Sequence, residues 1–342
     1  MTVAVKQAPI DFVIAWVDGS DPAWLKQKNH YLTLQTGQPE ALDVGVQRYR
    51  DWDNLKYWFR AVEKYAPWVN RVHFITWGHL PPWLDPACPK LHIVRHEDFI
   101  PEKFLPTFSS HPIELNLHRI PGLSEQFVYF NDDFFLTAPV EPEDFFVDGL
   151  PCDYPEETPM TFSAPTPINS IRVNDIIFCS KHFDRRSNRK THWKKWFSPA
   201  DPHSMLKNIL MSTLNDADFF GLNIHHLPQA YRKSTLQAVW QLDPELLGET
   251  CSHRFRDERD VSQCVFKFWQ LLSGNFHPYN KRKYGVIYDA GLYLDDICRQ
   301  IITKSRKTIC IGDTAELDFP ATRDAVNHAF ETVLPVRSQF EK

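Results

Sequence analysis

The sequence predicts an α/β protein: a mostly parallel central sheet with a largely helical insertion. Two patterns carry this expectation. Through the first 140 residues, short β-rich apolar runs alternate with helical or looped stretches, as in a sheet with helices on its faces. After residue 170 helical periodicity takes over, broken late by one β-like run at 307–311.

The elements follow in order. Residues 10–16 (IDFVIAW) read as a buried strand that breaks at 17–22 (VDGSDP), a polar turn holding Asp18 and Asp21. Residues 50–69 carry Leu55, Trp58, Phe59, Val62, Tyr65 and Ala66 at helical spacing. Asp51 or Asp53 can cap that helix and Pro67 stops it. Strands are expected at 72–77, 91–94 and 127–130; the last ends in Asn131-Asp132-Asp133, and a further apolar piece follows at 134–136. Residues 140–170 are proline-rich. Helices are then expected near 203–215, 227–241, 258–272, 288–304 and 320–333, with 307–311 returning to the sheet and ending at Gly312-Asp313. The division expected is a sheet-based nucleotide-binding half at 1–150, a helical insertion at 151–305 and a returning strand with a terminal helix at 306–342. Together they are expected to form one compact catalytic unit.

Composition narrows the classes. At 43% hydrophobic and 24% charged residues, the chain has the balance of a folded protein with a sizeable core. A net charge of −5 argues against nucleic acid as the main partner. One local exception is the basic run Lys181, Arg185, Arg186, Arg189, Lys190, Lys194 and Lys195, either a solvated face or a landing site for an anionic acceptor or membrane surface. Seven scattered cysteines without a CxxC pair read as reduced thiols. No stretch resembles a signal peptide or a membrane span, so the expected location is cytoplasmic, with peripheral association at the inner membrane face as an extension.

The chemistry is concentrated at strand ends. Adjacent carboxylates in Asn131-Asp132-Asp133 cannot both lose water without a partner, and a divalent cation is a natural one. An ordinary Asn-Asp turn is the alternative. Asp18, Asp21 and Asp313 close two more apolar runs, at positions where open α/β sheets place ligands. Trp16 beside them is either a stacking face or core. In His225-His226-Leu227-Pro228, Pro228 reads as a first-turn residue, which would set His226 at a helix start, neutral and fit to act as a base. Arg254, Arg256, Arg259 and Asp260 precede an apolar helix and suit either an anion or surface ion pairs. Residues 109–119, from Ser109 through Glu114 to His118 and Arg119, are polar enough to recognise a sugar.

Four blocks give these residues a context: 10–24 (IDFVIAWVDGSDPAW); 48–69 running on through 105–136; SIRVND from Ser170, HLP at His226 and RDERD from Arg256; and ICIGD at 309–313. In this order they resemble the Stealth family of capsular and exopolysaccharide phosphotransferases, which also includes the animal enzyme that adds GlcNAc-1-phosphate to lysosomal glycoproteins. Gly312 departs from the family's usual Asn. The resemblance implies a glycosyltransferase-A-like fold that transfers sugar-1-phosphate from a UDP-sugar donor to a polysaccharide or glycolipid acceptor, releasing UMP, with Mg²⁺ or Mn²⁺. It further implies donor contacts at Trp16, Asp18, Gly19, Arg172 and Asn174, and a metal and pyrophosphate site at Asn131 and Asp133 with Asp313 contributing. His226 is the implied base, and Arg256 with Asp260 a phosphate-handling pair. The rivals are a glycosyltransferase of the same fold that releases UDP, a metal-dependent phosphodiesterase, and a carbohydrate-binding module.

Overall fold

Four parallel strands and one antiparallel edge strand make the main sheet: β1 (Ile10–Ala15), β2 (Val72–Thr76), β3 (Leu91–Arg95), β4 (Gln126–Phe130) and the edge strand Gln229–Arg232. Their spatial order is edge strand, β4, β1, β2, β3. The computed structural model describes residues 8–37, 49–161, 166–214, 218–314 and 317–342. Arg48, which opens the second motif block, and the amino-terminal residues 1–7 lie outside the described residues.

The sheet is covered on both faces, which is why its strands read as unbroken apolar runs rather than alternating ones. Ile10, Phe12, Ile14, Val128 and Phe130 point into one core, shared with the helix Leu55–Tyr65 and the terminal helix Phe319–Val333. Val13, Phe127 and Tyr129 point into a second core with the helices Lys233–Leu242, Pro244–Ser252 and Cys264–Leu272. Asp11, a charge inside β1, is fully buried and survives because His73 at 3.0 Å, Asn70 at 2.7 Å and the Ser124 amide at 2.8 Å all address its carboxylate.

A second, smaller sheet extends the site edge. β5 (Phe134–Leu136) pairs antiparallel with the strand Thr308–Gly312, which pairs parallel with Gly285–Asp289. The mostly parallel α/β class expected from sequence is therefore present. Three expectations change. The stretch 227–241 begins as the edge strand and turns helical only at Lys233, because Gln229–Arg232 satisfies its backbone against β4. Helix 258–272 starts at Cys264, and 288–304 opens with strand Gly285–Asp289 before its helix Leu294–Thr303. Among the described residues five strands, three of them only two residues long, lie inside the stretch 151–305 expected to be largely helical. Among the described residues no helix is long and apolar enough to cross a membrane.

Candidate functional site

Register brings the acidic loops together. In the parallel pair β1–β4, Ile14 lies opposite Phe130, so the turns after both strands open on one edge of the sheet. The edge strand runs the other way, with Gln229 opposite Tyr129, so the residues just before it reach the same edge. Cys310 faces Phe134 and the Ile311 amide donates to the Asp133 carbonyl at 3.0 Å, which carries Asp313 to that edge as well. Above these strand ends lies a cavity of about 1030 Å³. Trp16, Asn131, Asp132, Asp133, His226, Arg256 and Asp313 all stand on its wall.

Asp133 is the centre of the arrangement. Its Oδ2 lies 3.6 Å from His226 Nε2, and the Cys310 thiol donates to that oxygen at 3.3 Å. Its Oδ1 is buried with no hydrogen-bond partner. The carboxylate, imidazole and thiol donor atoms lie within 4.8 Å of one another. Enclosure works against a charged His226, but the Asp133 carboxylate outweighs it and holds the imidazole pKa above its ordinary value. The Phe134 ring packs edge-on against the same imidazole at 4.8 Å. His226 therefore sits in a turn ahead of an edge strand. The expected helix start is absent, and so is the dipole that would have lowered its pKa.

Two further carboxylates deepen the negative floor. Asp132 is open to the cavity yet walled by protein, and enclosure together with the neighbouring Asp133 charge pushes its pKa up to about 7. Asp51, also on the wall, is raised by burial and by the charges of Asp53 and Asp18. Buried Glu114 behind the wall is raised by burial, partly offset by His111, Arg256 and His226. The Arg256 guanidinium donates to the Ser110 hydroxyl at 3.3 Å, also at the cavity wall.

Other expected site residues have different surroundings. The Asp313 carboxylate is occupied: Arg50 Nε donates to Oδ2 at 3.0 Å, Trp52 Nε1 donates to the same oxygen at 3.1 Å, and Arg50 Nη2 takes Oδ1. Asp260 is fully buried away from the wall, bonded to His253 at 2.6 Å and His111 at 3.3 Å. Asn174 donates to the Glu258 and Asp260 carbonyls, both at 2.9 Å, and so clamps the loop that bears Arg256. Arg172 is exposed and off the wall; Asp18 and Gly19, half-buried, are also off it. Asp18 accepts from the Ser20 amide and hydroxyl at 2.8 and 2.6 Å, and a Cβ on Gly19 would stand 1.9 Å from the Tyr49 carbonyl oxygen. Glycine at 19 is thus a packing requirement between the first acidic turn and the cavity-lining Tyr49.

Sequence reasoning missed Asp51, Arg50 and Cys310. Arg50 and Asp51 stood at the expected helix start, where capping seemed a sufficient role. Nothing in the run KTICI marks Cys310 as more than a strand residue.

Residues 48–152 match Stealth protein CR2, conserved region 2, and residues 8–33 match Stealth protein CR1, conserved region 1. The capsular polysaccharide phosphotransferase WcwK of Streptococcus pneumoniae is 38% identical, covering 97% of this chain and 98% of that protein. The receptor polysaccharide phosphotransferase WefC of Streptococcus oralis is also 38% identical, covering 97% of this chain and 99% of that protein. Among solved structures, the galactosyltransferase LgtC in complex with donor and acceptor sugar analogs is 10% identical, covers 96% of this chain and 97% of that chain, and has a TM-score of 0.40.

Proposed function

The chain belongs to the Stealth family, and from that premise we propose that it moves a hexose-1-phosphate from a UDP-sugar to a carbohydrate hydroxyl, releasing UMP, in capsule or exopolysaccharide assembly. The observation that carries the reading is His226 at 3.6 Å from Asp133 on the wall of a cavity that also holds Arg256. A sugar hydroxyl needs a base at neutral pH, and a phosphoryl group needs positive charge around its oxygens.

The acceptor oxygen attacks the phosphorus that bears the sugar. The new P–O bond forms as the bond from that phosphorus to the bridging oxygen of UMP breaks, and UMP leaves with the electron pair. The sugar's C1–O bond is untouched, so its configuration is kept. The acceptor's proton passes to neutral His226, which Asp133 holds in place and stabilises once charged. Arg256 would face the phosphoryl oxygens as a fixed positive charge.

A divalent cation, Mg²⁺ or Mn²⁺, supplies further charge neutralisation at the pyrophosphate when bound. The unpartnered Asp133 Oδ1 and the adjacent Asp132 carboxylate suit such an ion, since hard cations take carboxylate oxygens. Cys310 is a poor candidate ligand, because burial and Asp133 keep its thiol protonated. Asp313, its oxygens taken by Arg50 and Trp52, fits better as the anchor of Arg50 in the cavity wall than as a metal ligand.

The test is product analysis. A panel of nucleotide sugars is incubated with the chain, a polysaccharide acceptor and Mg²⁺ or Mn²⁺; one donor should give UMP and an acceptor-linked phosphodiester. UDP with a glycosidic product would replace this reading with an ordinary glycosyltransferase. Sugar phosphate released without acceptor would replace it with a phosphodiesterase.

A further inference from the structure

The helix Pro202–Leu214 is amphipathic in the wrong sense for a soluble surface. Its inward residues include Ser204 and Asn208, both buried and fully bonded. The Ser204 hydroxyl donates to Glu156 at 2.5 Å and Asp201 at 3.0 Å. The Asn208 amide donates to the Pro155 and Trp196 carbonyls at 2.6 and 2.9 Å and accepts from the Glu157 amide at 2.9 Å. The outward residues are aliphatic: Leu206, Ile209, Leu210 and Leu214 are 62%, 45%, 55% and 63% exposed. Four large aliphatic side chains left in water on one short helix mark a face that meets an apolar phase.

What surrounds that face is basic. Of the seven Lys and Arg in residues 185–214, Arg185 is buried against Glu157 and Lys207 pairs with Glu156, while Arg186, Lys190 and Lys194 are exposed; the acids along the stretch are buried Asp201 and, one residue before the stretch begins, exposed Asp184. The helices Arg185–Thr191 and Trp193–Trp196 lie beside the aliphatic helix, joined to it by the contact of Arg189 with Ser212 and by the Asn208–Trp196 bond. They expose Lys190 and Lys194, and between these two Trp193, which is 56% exposed. Aliphatic insertion, an interfacial Trp and flanking lysines are the physical requirements of a helix lying in the headgroup region of an anionic bilayer. A second copy of this chain is the weaker occupant, because a symmetric contact would bring two positive rims together.

We propose that this face docks the protein on an anionic lipid bilayer, with Leu206, Ile209, Leu210 and Leu214 entering to headgroup depth and Lys190, Trp193 and Lys194 at the interface. The helix Pro167–His182, 16 residues or about 24 Å long, begins at the cavity wall with Pro167 and Ile168 and leads into the basic helices. One rigid element therefore links docking face and cavity. The inference goes beyond the transfer reaction and does not need it, since lipid binding requires neither donor nor acceptor.

Co-sedimentation of the full chain with vesicles decides the matter. Binding should be strong to mixed phosphatidylglycerol–phosphatidylcholine vesicles and weak to phosphatidylcholine alone. Leu206→Glu/Leu210→Glu should lower the partition coefficient by about tenfold or more, as expected for removing buried apolar area and adding charge. Lys190→Glu/Lys194→Glu should lower it about tenfold, and added salt should mimic that loss. Circular dichroism and thermal unfolding should match the parent, and the milder Leu206→Ser/Leu210→Ser covers the case in which the glutamates disturb the fold. Equal sedimentation of parent and leucine variants, or no binding of the parent to anionic vesicles, overturns the proposal. So does a parent dimer that the leucine variants disperse without any vesicle binding, which would assign the face to self-association.

Discussion

Two neighbouring histidines, His225 and His226, serve two charge clusters of opposite character. His225 faces the inner cluster, where every carboxylate is compensated. Glu156, fully buried, is held by Lys207 at 2.7 Å, Asn223 at 3.1 Å, Ser204 and Arg282, and despite its burial its pKa falls to about 2. Asp153 is held by Lys267 at 3.2 Å and Gln229 at 2.9 Å and is likewise lowered against burial. His226 faces the outer cluster, where compensation is missing: Asp133 keeps an unpartnered oxygen, Asp132 rises to about 7 and Asp51 rises with it. A cluster that closes its own charges stabilises a fold. One that leaves acids unsatisfied at a cavity is paid for elsewhere and is set to receive a cationic or proton-bearing ligand.

The comparison breaks most visibly on exchange of one acid from each side. Asp133→Asn should lower transfer by about 10³-fold, and His226→Ala should lie within the 10²–10⁴-fold range of a lost general base. Both should unfold close to the parent temperature, because the pair is partly exposed and neither change strands a buried charge. Initial rates of UMP formation beside thermal melts would show it. Retained activity, or a melt that collapses with Asp133→Asn, would mean the outer cluster is structural after all.

Asp153→Ala should do the reverse. It strands Lys267, 2% exposed, without its carboxylate partner, at a cost of about 3–5 kcal/mol in urea unfolding. Activity per folded molecule should stay near the parent's. A stability change below about 1 kcal/mol would show that Lys267 finds another partner or loses its proton.

The outer cluster was more legible in sequence than the inner one, for a physical reason. Asn131-Asp132-Asp133 follows a run of Phe, Val and Tyr, and three acids ending apolar strands can be read one strand at a time. The inner cluster depends on long-range pairings such as Asp153 with Lys267 and Glu156 with Arg282, over 100 residues apart, which no local pattern encodes. His226 shows the limit from the other side. Its part in the site was readable, but Pro228 suggested a helix start, and only pairing of Gln229–Arg232 with β4 revealed a strand. Asp260 and Asn174 likewise looked like substrate contacts because motifs do not say which face of a loop is solvent; in the folded chain they brace the loop behind Arg256.

The smallest effect concerns the sign of a slope. Burial and the Lys267 charge lower the His225 pKa from its ordinary 6.5 to about 4. Below pH 6.5 the unfolded chain takes up a proton that the native His225 refuses, so native stability falls with acid by up to about 1.4 kcal/mol per pH unit until about pH 4. His225→Gln should flatten that part of the profile, measured by urea unfolding in metal-free buffer. His226 carries the opposite sign. Its native pKa is raised by Asp133, so its contribution is present at acid pH and fades as pH climbs through that value. His226→Gln should therefore leave the slope below pH 6.5 unchanged and make stability rise slightly more with pH just above it, by less than the His225 effect because its side chain is about half exposed and partly screened. Slopes that change in the same direction would show that Asp133 does not hold the proton on His226, and the outer pair would lose the electrostatic character that separates it from the inner one.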